Sequence, residues 1–273
     1  MDTLSDLMTP DPVVFPEDAP IAECARTLVQ QRYRHLPVVD GEGRLAGLLT
    51  DFAVFQRGGV IGAQDELWVP FEPEDALLEA RDLLEPARLV ASPDDALGPV
   101  LARMAADPQD LVVVVDERQH PVGVVSEHDV VRLAQGVLEG DRLVADEATR
   151  PVLAVEADAP AQAAWVLVLD HEVRHVAVVD GGRLFGVLSY RDLISEDVGG
   201  GRQIACRDVV RNLEVHSVVP DTPLDQAAAL MARHKIGCLP VLGPGNVPVA
   251  ILTRTDLIRA VIATLDEEAL FEG

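Results

Sequence analysis

The feature that most constrains this chain is a short pattern that recurs four times along it. A small residue, two apolar residues and a hydroxyl residue follow one another at Gly47–Thr50, Gly123–Ser126, Gly186–Ser189 and Ala250–Thr253. The hydroxyl residues are separated by 76, 63 and 64 residues, which is longer than the usual period of a solenoid repeat. The chain is therefore expected to fold as four related units.

Each unit has the same order of apolar runs and helix-start signals. An apolar run, a turn with Gly or Pro, and the recurrent pattern follow one another, which predicts a β-hairpin that leads into an amphipathic helix. Upstream of each hairpin, Pro with Asp or Thr marks the start of another helix, which a short apolar strand precedes. The sequence predicts an α/β (α+β) fold of four β-α-β-β-α units.

A single unit of this kind is too small to cover both faces of its own sheet, so the units are expected to pair. Pairing of neighbours along the chain predicts two modules. The predicted bounds are 1–139 for the first module, with repeats at 4–55 and 80–134 and an acidic insert at 56–79, and 140–273 for the second, with repeats at 144–194 and 206–258.

The charge of the chain excludes several classes of partner. Asp and Glu number 46 against 22 Lys and Arg, which gives a net charge of −24 and disfavours nucleic acid and anionic membrane surfaces. No apolar run is long enough to span a membrane, and the first residues do not form a leader. Three widely spaced cysteines predict no disulfide framework. We expect a soluble, cytoplasmic protein.

The four patterns, three of which have Asp three residues after the hydroxyl, resemble the CBS-domain family, named for cystathionine beta-synthase. The resemblance covers nearly the whole chain and implies four CBS repeats in two tandem (Bateman) modules. It further implies clefts that bind adenosine-containing ligands such as AMP, ADP or ATP, with the hydroxyl at phosphate and the Asp at ribose. A non-enzymatic sensor that signals to an effector protein, assembled as a homodimer, is what the resemblance predicts.

The candidate ligand residues open the second helix of each repeat. Ala53 stands where the other repeats have Asp, so the cleft at Thr50 is expected to bind weakly. A hydroxyl followed by an acid three residues later is also a capping box, and the two roles are compatible. The hydroxyl–acid pairs are Ser126 with Asp129, Ser189 with Asp192, and Thr253 with Asp256.

Local cations are needed before a phosphate enters so acidic a protein. The second repeat instead has Asp110 where the first has Arg34, and it places Glu127 inside its pattern. The second module is therefore expected to be the better ligand site. Its basic residues near the two patterns are Arg174, His175 and Arg191 in the third repeat, and His234, Lys235 and Arg254 in the fourth.

Two other functions compete with the sensor. The first is a structural or interaction module with degenerate clefts, which Ala53 and the acidic second repeat favour. The second is an enzyme with a site in the insert or in a cleft, although no set of catalytic residues is recognisable. The seven histidines do not have metal-ligand spacing, so we expect no metal site and no obligatory cofactor. The identity of the adenosine compound and of the effector stays open.

Overall fold

A computed structural model describes residues 3–31, 33–56, 60–61, 67–68, 78–107, 109–138, 142–196, 203–210 and 215–271. Most of the predicted insert at 56–79 lies outside these ranges, as does the predicted module boundary at residues 139 and 140. Apart from the first strand of the fourth repeat, the described part of the chain contains the predicted elements in the predicted order, and the α/β fold of repeated β-α-β-β-α units is confirmed.

The helices and strands have the following bounds. The strands are β1 (Thr9–Pro10), β2 (Phe15–Pro16), β3 (His35–Val39), β4 (Leu45–Thr50), β5 (Val60–Ile61), β6 (Leu67–Trp68), β7 (Val90–Ala91), β8 (Leu111–Val115), β9 (Pro121–Ser126), β10 (Ala154–Glu156), β11 (His175–Asp180), β12 (Arg183–Ser189), β13 (Cys238–Gly243) and β14 (Val247–Thr253). The helices are α1 (Ile21–Gln30), α2 (Asp51–Gln56), α3 (Leu97–Ala106), α4 (Glu127–Val137), α5 (Val144–Glu147), α6 (Ala161–Asp170), α7 (Tyr190–Ser195), α8 (Cys206–Val209), α9 (Leu224–His234) and α10 (Arg254–Phe271).

The first three repeats each form a small mixed sheet, and the fourth forms the antiparallel pair β13-β14. The first strand pairs in parallel with the first hairpin strand, and the two hairpin strands pair antiparallel, as in β2-β3-β4 and β10-β11-β12. The hairpins share a register shift at the same place, next to the last strand residues before the turn. In the fourth repeat the predicted strand at 215–219 is reduced to one parallel bridge between Val218 and Val241. The four hairpins therefore repeat each other in register as well as in sequence.

The first helix of each repeat forms because its apolar residues fall on one face. In α9 the buried residues are Leu224, Ala227, Ala228 and Met231, which have the i, i+3, i+4, i+7 spacing of an amphipathic helix. Lys235 ends this helix in the left-handed conformation, with φ of 53°. The helix ends at the residues that lead into the hairpin of the same repeat, so its C-terminus lies near the start of that hairpin.

Paired repeats exchange the segment that leads into each of them. We call these crossing segments, and they comprise residues 3–10, 79–86, 143–150 and 205–210. Each one bridges to the other repeat of its pair where that repeat's first helix starts, and three of them, 3–10, 79–86 and 143–150, also bridge to its second hairpin strand. The bridges at the helix starts are Thr3 with Ala96, Glu79 with Pro20, Leu143 with Pro223 and Ala205 with Pro160, and those at the hairpins are Thr9 with Val124, Glu85 with Leu48 and Thr149 with Ile251.

The crossing segments also carry core residues from one repeat into the next. Their first helical residues, Leu4, Ala80, Val144 and Cys206, are fully buried. In the second pair, Cys206 and Val210 pack in the core of the third repeat with Val178 and Leu188. Because each core is completed by its partner, two repeats form one folded unit.

The small residue of the recurrent pattern matches the crossing segment in size. A Cβ atom added at Gly186 would lie 2.5 Å from Cγ1 of Val210. In the fourth repeat the hairpin residue is Ala250, which is fully buried, and the facing segment carries the small Ala148 before its bridge at Thr149. The positions that correspond to Ala148 hold larger side chains wherever the hairpin residue is glycine, namely Met8, Leu84 and Val210.

The described chain divides into two compact units, Met1–Val130 and Val131–Gly273. The first pair of repeats exchanges its crossing segments inside the first unit, and the second pair does so inside the second. The division falls within α4. The module bounds drawn from the sequence stay a prediction.

Gly186→Ala tests the size match. The added methyl group collides with Val210, so we expect the free energy of unfolding to fall by about 1–3 kcal/mol, as for an overpacked core. In the Val210→Ala background the colliding methyl groups are gone, and the same change is expected to cost less. A double-mutant cycle measured by urea denaturation gives this coupling. Gly98→Ala, in open space at α3, is the control and is expected to be neutral or stabilising. Additive effects of Gly186→Ala and Val210→Ala would refute the packing explanation.

Candidate functional site

The hydroxyl residue of each pattern lies where the second hairpin strand ends and the next helix begins. In the third repeat Ser189 is the last residue of β12, and Tyr190 donates its N–H to the carbonyl of Arg174 at 3.0 Å. The strand register places His175 opposite Ser189. Arg191, in the first turn of α7, is half-buried, as are Arg174 and His175. The fold therefore brings the predicted residues of the third repeat to one edge of the sheet.

The fourth repeat repeats this arrangement around Thr253, the last residue of β14. Arg254 donates from Nε to the carbonyl of Ile236 at 3.3 Å and from Nη2 to the carbonyl of Lys235 at 3.5 Å. Lys235 itself is exposed. Burial raises the pKa of the Cys238 thiol, opposite Thr253, to about 12, so this cysteine is a packing residue rather than a nucleophile.

The acids of the second module are held rigidly against their hydroxyl partners. Ser189 donates from its N–H at 2.8 Å and from its hydroxyl at 2.5 Å to Oδ2 of Asp192. Thr253 donates in the same two ways to Oδ2 of Asp256, each at 2.7 Å. The capping interpretation of this pattern is therefore confirmed by the hydrogen bonds. A ribose contact stays a prediction, and the same bonds fix the carboxylates in position for it.

The second and fourth repeats use the other carboxylate oxygen for a residue of the crossing segment. Ser126 binds Oδ2 of Asp129 through its N–H at 2.9 Å and its hydroxyl at 2.6 Å. Thr9 then donates its hydroxyl to Oδ1 of Asp129 at 3.2 Å, and Thr149 does so to Oδ1 of Asp256 at 2.9 Å. These bonds join the crossing segment to the acid of the partner repeat.

The first repeat reaches the same arrangement by a different route. Thr50 caps its helix by accepting the N–H of Ala53 at 3.0 Å. Its hydroxyl donates at 3.3 Å to Oε1 of Glu85, a residue of the crossing segment from the second repeat. Glu85 is not among the ligand residues predicted from the sequence. The signal that could have found it is its position in the repeat, which corresponds to that of Thr9 and Thr149.

In the first unit the guanidinium of Arg34 forms ion pairs with two carboxylates of the chain. Arg34 Nη1 lies 3.1 Å from Oδ2 of Asp110 and 3.1 Å from Oε2 of Glu127. The side chains are 20% exposed for Arg34 and 8% for each acid. His35 Nδ1 lies 3.6 Å from Oδ1 of Asp110. This cluster joins the two repeats of the first unit, and it offers a phosphate two negative charges against one guanidinium.

One predicted basic residue of the second unit has a lowered pKa. The imidazole rings of His216 and His234 lie with their centroids 3.8 Å apart and their planes tilted by 36°. Desolvation, followed by the electrostatic effects of His216 and Arg233, lowers the pKa of His234. This shift disfavours the charged form of His234 and makes it a weaker candidate for a phosphate contact than Lys235 and Arg254.

Metal ligands, membrane-spanning helices and cysteines are the other features of the described residues that bear on function. No cluster of three or more His, Cys, Asp or Glu side chains there has the geometry of a metal site. No helix of the described part is long and apolar enough to cross a membrane. The three cysteines are all buried and unpaired with one another. The recurrent helix starts are thus the candidate sites that the described structure presents.

Comparison with protein families identifies the repeat. The family model of the CBS domain matches residues 4–57, 80–136, 144–199 and 206–263. The four matches begin within the crossing segments and extend into the second helix of each repeat. The expectation of four CBS repeats in two tandem pairs is confirmed.

Three proteins illustrate how similar the chain is to known sequences and structures. An uncharacterised protein of Methanocaldococcus jannaschii is 23% identical over 232 residues, which are 79% of this chain and 51% of that protein, so the chain spans about half its length. The γ3 subunit of the human 5′-AMP-activated protein kinase is 33% identical over 122 residues, 45% of this chain and 24% of that subunit. The crystal structure of another M. jannaschii protein, proposed as an archaeal homologue of the kinase γ subunit, covers 94% of this chain and 99% of that one, with a TM-score of 0.77 and 18% identity. At that identity the likeness shows the fold alone.

Arg34→Met tests the neutralised cluster. The change removes the guanidinium that lies 3.1 Å from each of the two largely buried carboxylates of Asp110 and Glu127, so we expect the free energy of unfolding to fall by about 3 kcal/mol. Arg44→Met is the matched control, because Arg44 pairs with acids at the surface and its loss is expected to change little. Urea denaturation at pH 7 measures both variants. Equal stability of the two would mean that the cluster is only a surface contact.

Proposed function

The chain belongs to the CBS-domain family, and we propose that it is a regulatory module whose second unit binds an adenosine-containing ligand. Ligand binding at the third and fourth repeats shifts the shape of the unit, and an effector protein responds to that shape. A ligand shifts such an equilibrium only by its different affinity for the two shapes. The relationship to a subunit of an AMP-activated kinase supports an adenine nucleotide as the ligand class.

The observation that carries the proposal is the pre-formed carboxylate at each helix start of the second unit. A ribose presents two neighbouring hydroxyls, and an ionised carboxylate accepts both in charge-assisted hydrogen bonds. Asp192 and Asp256 are already oriented by two donors from the chain, so little order is lost on binding. The rotational freedom of these side chains is already restricted in the folded chain, so ligand binding does not have to restrict it.

The phosphate is assigned to the hydroxyls and the nearby cations. Ser189 and Thr253 are half-buried at the ends of their strands, next to basic side chains on the same edge. Those side chains offset the net charge of −24 locally, which a phosphate needs in order to approach. The proposed phosphate ligands are Ser189, Arg174, His175 and Arg191 in the third repeat, and Thr253, Lys235 and Arg254 in the fourth.

The first unit favours the alternative function. Ser126 and Asp129 have the same geometry as the pairs of the second unit, and we propose them as weaker ligand residues. The Arg34 cluster makes this unit less receptive to phosphate. If no cleft of the chain binds a nucleotide, the module is a structural or interaction protein with degenerate clefts. A thermal-shift screen separates the two functions, because a ligand at 100 times its Kd stabilises by about 2.7 kcal/mol.

The assembly is proposed to be a homodimer of a non-enzymatic, cytoplasmic protein. Val166 and Leu169, both on α6, are each 51% exposed, which leaves an apolar strip on this helix. Strips of this kind are buried in association with another surface. Light scattering at micromolar concentration is expected to give the mass of two chains. A monomer over the whole concentration range would contradict this assembly.

Asp192→Ala and Asp256→Ala test the ribose contact. Each is expected to weaken AMP binding by about 1.5–3 kcal/mol, which is roughly ten- to hundredfold, because a charge-assisted hydrogen bond to the ligand is lost. Loss of the capping bonds should also lower the free energy of unfolding by up to about 1 kcal/mol. Calorimetric titration and urea denaturation on the same variants measure both effects.

The control for the capping effect is Asp146→Ala. Asp146 accepts the N–H of Leu143 at 3.0 Å with the same i, i+3 spacing, in α5 of the second unit. It is expected to lower stability in the same range and to leave AMP binding unchanged. If Asp192→Ala and Asp256→Ala bind AMP like the parent while they unfold more easily, the two acids are helix caps and the sensor assignment fails.

A further inference from the structure

We propose that Glu85 is a ribose-binding residue of the first repeat, where it supplies from the partner repeat the carboxylate that Ala53 lacks. The inference rests on the proposed function, and it extends that function to a cleft which the sequence predicts to be weak. The ligand it assigns to this cleft is an adenosine-type nucleoside. Glu85 is a residue of the second repeat, so the cleft is assembled from both members of the pair.

The backbone of Glu85 is fixed against the strand that ends at Thr50. Leu48 and Glu85 exchange both backbone hydrogen bonds, at 2.9 Å and 2.8 Å. Gly47 makes this approach possible, because a Cβ atom there would lie 2.7 Å from the carbonyl oxygen of Glu85. The side chain of Glu85 therefore starts two residues from the end of β4, and its carboxylate reaches the Thr50 hydroxyl.

The contact reproduces the one that defines the other clefts. Thr50 Oγ1 donates to Oε1 of Glu85 at 3.3 Å, as Ser189 and Thr253 donate to their own acids at 2.5 Å and 2.7 Å. A carboxylate thus meets the recurrent hydroxyl in every repeat. In the first repeat alone it comes from a residue that lies 35 positions away.

The crossing segments show that this is an exchange of roles. Thr9 and Thr149 occupy the position of Glu85 in their own repeats, and each donates a hydroxyl to an Asp of the partner. In these two cases a hydroxyl on the crossing segment goes with a carboxylate on the helix. Glu85 reverses this, and the helix position opposite it is the one with Ala53. Both changes together keep one carboxylate in the cleft.

The Glu85 carboxylate is available to a ligand. The residue is exposed, whereas Thr50 is 8% exposed, and no ion pair engages Glu85 within the described part of the chain. Its second oxygen and the remaining capacity of Oε1 suit the two neighbouring hydroxyls of a ribose. Because Arg34 is neutralised by two acids, the cleft suits a nucleoside better than a nucleotide.

The test uses the full-length chain and 8-azidoadenosine as a photoreactive probe, with peptides mapped by mass spectrometry. We expect adenosine-competed labelling near Thr50 in the parent, in addition to labelling in the second unit. Glu85→Gln keeps the backbone bridge and should raise the adenosine concentration needed to compete at the Thr50 peptide ten- to hundredfold. Competition by 2′,3′-dideoxyadenosine, which has no ribose hydroxyls, should be equal in the parent and in Glu85→Gln.

A rescue variant separates a ligand contact from a general disturbance. Glu85→Thr with Ala53→Asp copies the Thr9 and Asp129 arrangement, so we expect labelling near Thr50 to return, whereas Glu85→Thr alone stays weak. Labelling of the second unit is expected to stay unchanged throughout, as is the Tm of Glu85→Gln, because Glu85 is exposed.

Three results would overturn the inference. Labelling near Thr50 that is unaffected by Glu85→Gln removes Glu85 from the cleft but leaves the proposed function intact. The same holds if the parent is labelled in its second unit and never near Thr50. Absence of adenosine-competed labelling anywhere in the chain overturns the proposed function together with the role of Glu85.

Discussion

The close approach of the crossing segments to the hairpins is the constraint on which the rest of this structure depends. Each repeat extends its leading residues over its partner, where they bridge to the start of the first helix and, for three of the four described segments, also to the second hairpin strand. In the second pair these residues also complete the core of the third repeat. That approach is possible only where the hairpin residue is small, as the collision of a Cβ at Gly186 with Val210 shows. The pairing of repeats and the small residue of the pattern are therefore one requirement.

The crossing also determines what stands at each candidate site. A residue three positions beyond the small residue caps the helix, and the bridged residue of the crossing segment lies beside it. Thr149 reaches Asp256 in this way, and Glu85 reaches Thr50. Helix capping fixes these carboxylates within the chain, and the proposed ligand contact uses the same side chains. This is why changes at these acids have to be measured in both respects.

Electrostatics then distinguishes two units with the same backbone plan. In the first, Arg34 is shared between Asp110 and Glu127 across the pair. In the second, Arg254 binds backbone carbonyls of Ile236 and Lys235, and Lys235 is exposed. These contacts of the two guanidiniums thus differ, with carboxylates in the first unit and carbonyl dipoles in the second. The proposal of a nucleoside for the first unit and a nucleotide for the second is built on this difference.

Three features can be predicted from the amino-acid sequence: the four repeats, their β-α-β-β-α order and the capping of each second helix by its hydroxyl residue. These features depend on residues within a few positions of one another, such as Ser189 with Asp192, so the local pattern contains them. Three contacts follow only from the tertiary structure: the hydrogen bond of Thr50 to Glu85, the ion pairs of Arg34 with Asp110 and Glu127, and the ring contact of His216 with His234. The first two of these contacts join different repeats, and all of them depend on how the chain folds back on itself. The periodicity of apolar residues predicts helices and strands, but it does not predict which residues of different repeats come into contact.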